Sequence, residues 1–357
     1  MNICCLTRYD DLGASSRLRF GQYIRPLAAL IPGLQVNRQS LLDAGYLRRK
    51  YAQLSTAGSA AAGYLRRLGH LLRGPRPDLW WVEKELAPWL PATVERALLA
   101  GAPYVLDLDD AIFHNYDRHR LAVVRRLWGR KIDRLMAGAA LVVAGNRYLA
   151  ARAEAAGAKW VEILPTVIDL ARYPVPAPRA AAAPGAPITL VWIGSPASVH
   201  YLRLLAEPLA ALAARTALRL RVIGARIELP AGIECEFVPW SEASEAAAIT
   251  ACEIGLMPLP DSPWERGKCG YKLIQYLACG LPVVASPVGV NAEIVQPGAN
   301  GFLAEDAAQW QQHIGALAGD AIQRAALGAA GRRLVEQRYS LQVTAPRLAA
   351  LLQQAVG

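Results

Sequence analysis

Short apolar runs closed by turn residues alternate with longer helical patterns along most of this chain, and that alternation restricts its fold more than any other feature. NICCLT at 2–7, DLWWVEK at 78–84, YVLDLDD at 104–110 and AALVVAGN at 139–146 read as buried strands, with helices expected over 15–31 and 118–137. This is the rhythm of a parallel sheet with helices on both faces. It stops at YPVPAPRAAAAPGAP, 173–187, where Pro and Ala replace large apolar residues and mark a linker. It then restarts with ITLVWIG at 188–194, RLRVIGA at 219–225, CEFVPW at 235–240, EIGLMPL at 253–259 and LPVVASP at 281–287. The pattern predicts two doubly wound α/β domains, 1–172 and 188–338, joined by the 173–187 linker. Such sheets bind ligands at the carboxyl ends of their strands, so the expected site is a cleft between the two domains.

Composition narrows the function classes. The chain has 357 residues, 54% hydrophobic and only 19% charged, which suits two packed cores and argues against disorder. Six cysteines form no CxxC, and with five histidines no zinc pattern emerges; free thiols in a reducing, cytoplasmic setting are expected. The start MNICCLTRYDD lacks the basic and long apolar regions of a signal peptide, and no run of 18 apolar residues is present. Residues 1–179 hold 26 Lys and Arg against 15 Asp and Glu, whereas the remainder holds 13 against 14. The first half therefore faces an anionic surface or substrate.

The most informative stretch is WERGKCGYKLIQYLACG, 264–280. Gly280 and Pro282 close a helix that counts back to a start near Gly270. Lys268 lies in the loop ahead, and Lys272 and Gln275 share one face. Two cations and a helix N-terminus, with Gly267 and Gly270 admitting a ligand to the backbone, make a phosphate or diphosphate cradle. After the strand at 188–194, Gly194 and Ser195 lead into a helix near Ser198, a second place where free N–H groups favour phosphate. The GxGxxG dinucleotide fingerprint is absent after both first strands, which counts against a dehydrogenase.

At these residues the sequence resembles retaining glycosyltransferases of the GT-B fold, in the large family 4 that uses nucleotide sugars. The resemblance rests on YLACGLPVVASPVGVNAEIVQPGANGFLAED, 276–306, and ACEIGLMPLPDS, 251–262; it extends to ILPTVIDLARY, 163–173, and to Tyr339–Ser340. It implies two Rossmann-like domains facing each other across a cleft, donor contacts mainly from the C-terminal domain, no bound metal and no other cofactor. It also implies that residues 339–357 cross back to the first domain. The GKCGYK form looks like a sub-branch. The family's motif of two Glu residues is altered: Gln275 stands at the second position and Gly267 at the first, with Glu265 two residues earlier as a substitute. The basic pair usual after the domain's first strand is missing, since GSPASVHYL offers only His200. Lys268 and Lys272, with Arg226, then become the expected diphosphate clamp.

In the first domain the family often carries a His after the fourth strand. Here LDLDDAIFH offers Asp109 and Asp110, with His114 further along. Asp109 is expected to orient an acceptor hydroxyl or act as a weak base, with Asp110 beside it. RYDDLGASSRLRF resembles the family's glycine-bearing acceptor loop, with Gly13 at the tight turn and Arg17 and Arg19 set to meet an acceptor phosphate.

The implied reaction moves a sugar from a nucleotide-diphosphate donor to a hydroxyl of a glycan or lipid-linked acceptor, with retention of configuration, as in cell-envelope polysaccharide synthesis. The Arg-rich stretches 46–51, 64–76 and 118–136 interleave Arg with Leu and Tyr, the latter with a stripe at Leu121, Val124, Trp128, Ile132 and Leu135. They suggest salt-sensitive, peripheral attachment to an anionic membrane at its cytoplasmic face. Competing readings are a nucleotide-sugar 2-epimerase of the same architecture and a catalytically silent sugar-nucleotide binder. Nucleic acid is disfavoured, because no reader motif accompanies the charge.

Overall fold

The computed structural model describes residues 1–175 and 186–357, so part of the expected linker lies outside the described residues. The chain packs as two units. The first comprises Met1–Thr166, Arg266–Cys269 and Leu341–Gly357; the second comprises Val167–Glu265 and Gly270–Ser340.

The first unit is built on a parallel sheet of β1 (Asn2–Tyr9), β2 (Gln35–Leu42), β3 (Leu79–Glu83), β4 (Tyr104–Leu108), β5 (Leu141–Ala144) and β6 (Val161–Ile163), in the order β2-β1-β3-β4-β5-β6. β3, β4 and β5 are buried along their whole length, as a sheet covered on both faces requires. The register sets Cys5 between Arg38 and Trp81. The helix expected over 15–31 is broken into Ala14–Arg19, a 3₁₀ turn Gly21–Tyr23 and Ile24–Leu30. The break falls at Phe20, whose fully buried ring packs 4.4 Å from that of Trp81. Pro26 sits in the first turn of the last piece, where its missing N–H costs nothing. The helix expected over 118–137 likewise divides into Ala122–Trp128 and Lys131–Gly138.

The second unit carries β7 (Ile188–Ile193), β8 (Leu218–Ile223), β9 (Glu234–Val238), β10 (Ile254–Met257), β11 (Val283–Ala285) and β12 (Gly301–Leu303), in the order β12-β11-β10-β7-β8-β9. This is the doubly wound order, with the connections reversing direction between β7 and β10. Helix Tyr271–Ala278 begins at Gly270, whose φ of 65° is left-handed. It packs against helix Ala321–Arg338 so closely that a side-chain carbon at Gly328 would lie 2.0 Å from the Gly280 carbonyl. Arg332, nearly buried on that second helix, donates to the Ala278 and Tyr173 carbonyls at 2.7 Å each and so satisfies the helix end.

Two late segments belong to the first unit. Helix Leu341–Val356 lies against helix Ile24–Leu30 and buries Leu348 and Leu352 completely; its Thr344 shares a 2.8 Å hydrogen bond with the Tyr23 hydroxyl. The second unit begins at Val167, six residues before the linker expected from composition: Ile168 bridges to Ser340 as an extra strand contact.

Candidate functional site

In the first unit, strand order reverses between β1 and β3, and a charged network occupies that point. Glu83 at the end of β3 accepts from the Arg8 amide at 2.8 Å and the Ser16 hydroxyl at 2.6 Å. Burial raises its pKa, and Lys84 works against that rise. Lys84, next in the chain, adopts a left-handed φ of 64°, which is strained for a residue with a side chain. Its ammonium lies 2.8 Å from Asp109, 3.2 Å from Asp110 and 3.1 Å from the Ser15 hydroxyl. Burial would raise the Asp109 pKa, but Lys84, helped by Ser15 and Arg19, outweighs it and holds the carboxyl below its ordinary range. Asp109 is thus an anion of low basicity, better suited to orienting a hydroxyl than to removing its proton.

The Arg266–Cys269 segment joins this network. The Asn146 amide donates to the Gly267 and Lys268 carbonyls at 2.9 and 3.0 Å, while its oxygen caps helix Arg147–Ala155 through Leu149. The Cys269 thiol donates to the Asp109 carbonyl at 3.1 Å. These bonds bring Lys268 to 4.0 Å from Asp110.

Several expected acceptor-side residues have other work. Arg19 is 1% exposed and pairs with Asp107 at 2.8 Å while donating to the Leu164 carbonyl at 2.7 Å. It is a buried structural ion, because the helix turns it inward; it does not reach an acceptor phosphate. Arg17 is also buried, donating to the Asp11 carbonyl at 2.7 Å. Gly13 has an ordinary φ of −79°; it is required because a side-chain carbon there would meet the Tyr9 Cβ at 2.4 Å. His114 is engaged at both nitrogens, by Asp117 and by the Tyr148 hydroxyl, each at 2.8 Å.

In the second unit the corresponding point lies after β7 and β10. Lys272 stands 5.2 Å from the centre of the Trp192 ring, within cation–π range. A side-chain carbon at Gly194 would lie 2.5 Å from that ring and 3.0 Å from the Lys272 Cε, so Gly194 makes room for both. Gly194, Ser195 and Lys272 are each half-buried, with the Ser195 carbonyl accepting from the Ser198 amide at 3.0 Å. The result is a cation at a strand end beside a half-buried glycine backbone.

Glu265, buried, accepts from the Tyr201 hydroxyl at 2.5 Å and from the Ser262 hydroxyl. Gln275 is 3% exposed and donates to the Tyr173 hydroxyl at 2.9 Å, which in turn donates to Glu245. This buried position follows from the linker-proximal Tyr173 filling the space beside the helix, and it does not present the amide to a ribose. Arg226 lies over the Phe237 ring at 5.3 Å. Gly267 and Gly270 are buried by packing: side-chain carbons there would lie 2.5 Å from the Ala111 Cβ and 2.4 Å from the Ile294 Cδ1. Their glycine identity answers to these contacts and not to ligand approach. Lys268 and Lys272, expected as one pair, belong to different units.

Sequence reasoning missed Lys84, Glu83, Trp192 and Tyr201. The signal for the first two was present: DLWWVEK ends an apolar run on two opposite charges. Among the described residues, no three His, Cys, Asp or Glu side chains converge as metal ligands.

Residues 187–320 match the family model described as Glycosyl transferases group 1. An 86-residue stretch is 38% identical to the GDP-mannose-dependent monoacylated alpha-(1-6)-phosphatidylinositol monomannoside mannosyltransferase of Corynebacterium glutamicum, covering 24% of this chain and 22% of that protein. The matched stretch therefore spans about a fifth of that relative. Sucrose-phosphate synthase from Thermosynechococcus elongatus superposes with a TM-score of 0.71 at 17% identity, over 99% of this chain and 98% of that one. The Anabaena protein HepE in complex with UDP and glucose superposes with a TM-score of 0.68 at 16% identity, over 99% and 100%. The two-sheet α/β architecture is that of these GT-B glycosyltransferase structures along the whole chain.

Proposed function

We propose that this protein is a glycosyltransferase that moves a sugar from a nucleotide-diphosphate donor to a hydroxyl of a glycan or lipid-linked acceptor, with retention of configuration at the anomeric carbon. One observation carries the reading: Lys272 is held beside Gly194 at the reversal point of a doubly wound sheet, within the stretch that matches Glycosyl transferases group 1. As the bond from the anomeric carbon to the donor's phosphate breaks, negative charge grows on the departing diphosphate. A cation fixed in place stabilises that charge more in the transition state than in the ground state, and so raises the rate. Trp192 restrains Lys272 so that little reorganisation is needed during the reaction.

In this reading Asp109, kept ionised by Lys84, accepts a hydrogen bond from the acceptor hydroxyl and orients it. The hydroxyl attacks from the face the diphosphate leaves, and its proton passes to the departing phosphate oxygen. No metal enters these steps. Glu265 and Ser195 contribute to the donor side, and Lys268, beside Asp110, to the charge around the acceptor. The enzyme works at the cytoplasmic side, in contact with an anionic membrane.

The Corynebacterium relative is named for GDP-mannose and HepE was solved with UDP and glucose, so guanine and uracil donors come first. The test is a thermal-shift screen of nucleoside diphosphates and their sugars. A selective stabilisation that grows with ligand concentration is expected. A flat response to every nucleotide would overturn the reading.

A further inference from the structure

The first unit carries an exposed apolar surface that the transfer reaction does not use. Helix Ala57–Arg73 packs on β2 with one face and leaves Leu65, Leu68 and Leu72 open, at 70%, 42% and 64% exposure. Their spacing of three and four residues puts them on one stripe. Beside this stripe opens an apolar cavity of about 140 Å³, lined chiefly by Tyr64, Leu65, Leu68, Leu71, Leu90 and Leu98. The buried guanidinium of Arg67 also borders it, but that charge is committed to the Thr7, Gln39 and Leu86 carbonyls.

The surface continues past the cavity. Trp89, next to Leu90, is half-exposed at a left-handed φ of 66°, with its ring edge-on to Tyr116 and His119. Its ring meets that of Trp128 edge-on, and the Trp128 Nε1 donates to the Trp89 carbonyl at 2.9 Å. Helix Ala122–Trp128 adds the exposed side chains of Val123 and Leu127. Exposed apolar groups in a run of this kind mark an interaction site.

Charge identifies the occupant. Residues 44–77 and 118–132 contain no Asp or Glu. Arg66 and Arg73, seven apart and both exposed, flank the leucine stripe; Arg120, Arg125, Arg126 and Arg130 are exposed beside Trp128. Leucine ridge, half-exposed indole and flanking arginines match the apolar interior, interfacial layer and anionic headgroups of a bilayer. We infer that this surface docks on an anionic membrane and that the cavity takes the end of one acyl chain of an anionic phospholipid. The inference rests on the transferase reading only in giving the enzyme a lipid-linked acceptor to meet there; its geometry stands independently.

The full chain is to be sedimented with phosphatidylglycerol–phosphatidylcholine vesicles and with phosphatidylcholine alone, at low salt and at about 0.5 M salt. The wild type is expected to pellet with the anionic vesicles at low salt. The exposed double substitution Leu65→Glu/Leu72→Glu should lower that partition by about tenfold or more. Leu68→Phe, which fills the cavity, adds no indole and keeps the ridge apolar, should lower it less and should weaken binding of monomeric short-chain phosphatidylglycerol by about tenfold. Thermal unfolding of each variant checks that the fold is kept. Failure of the wild type to pellet, equal pelleting on neutral vesicles, or a double variant that pellets like wild type would each overturn the docking face. Undiminished short-chain lipid binding in Leu68→Phe would overturn the acyl-chain cavity. The nucleotide thermal shift, measured on the same proteins, separates this from the transferase reading: vesicle binding without any nucleotide response leaves docking standing and removes the donor site.

Discussion

A single lysine shows how little a residue's type says about its work. Lys84 follows a buried strand, and the sequence reading passed over it. Packing instead places it among Asp109, Asp110 and Ser15, at a strained backbone angle, where it sets the charge state of Asp109. Replacing it by Met removes the strongest influence opposing burial, leaving only Ser15 and the more distant Arg19 against it, so the Asp109 pKa rises. In the proposed reaction the ionised form orients the hydroxyl, so kcat/KM falls as pH drops through that pKa. The acid limb of the pH profile in Lys84→Met should therefore move toward neutral pH; an unmoved limb would free Asp109 from this role. Counting back from Gly280 placed Lys272 in the first turn of a helix, and the structure has it there. Lys272→Ala should cost roughly 10²–10³ in rate with a smaller change in KM, measured by steady-state kinetics on the donor that the thermal screen selects. Arg19 and Gln275 were misread for a common reason: a sequence shows that a polar group exists, while the partner that buries it lies 88 residues away for Arg19 and 102 for Gln275.

At the scale of elements, the strands that announced themselves are those buried on both faces, such as LWWVE and LVVA. β2, QVNRQSLL, was invisible because it is the sheet's edge and carries mostly polar residues. β6 and β12 have three residues each, too few for any period to show. The contact between helices Tyr271–Ala278 and Ala321–Arg338 was likewise hidden, since Gly328 and Gly331 read as weak helix formers in an Ala-rich run. Their role is to let the backbones approach. Gly328→Ala should destabilise by more than about 1–3 kcal/mol, because the new methyl meets a carbonyl fixed at a helix end. Gly69→Ala is the control: nothing lies within 4 Å of the new carbon, and the helix should gain about 0.5–1 kcal/mol. Urea unfolding of the two variants distinguishes them, and equal effects would mean that the close approach is not what requires Gly328.

At the scale of the whole molecule, the two-sheet plan was readable because the strand rhythm stops and restarts, but the assignment of segments to units was not. The chain enters the second unit at Val167, returns to the first for Arg266–Cys269, and returns again for Leu341–Gly357. Only a resemblance suggested the last return; the four-residue visit has no compositional trace, since it depends on Asn146 reaching two carbonyls more than a hundred residues away. A unit completed by the chain's final helix cannot gain its full stability from its own N-terminal residues. Leu348 and Leu352, both 0% exposed on that helix, complete its core. Each Leu→Ala change should cost about 2–5 kcal/mol by lost burial and the cavity left behind. The loss belongs to the first unit, so the nucleotide-induced stabilisation assigned to Lys272 in the second should persist at temperatures where both variants remain folded. Calorimetry with and without the selected nucleotide tests this: variants as stable as the wild type would show that the final helix contributes nothing to the first unit's core.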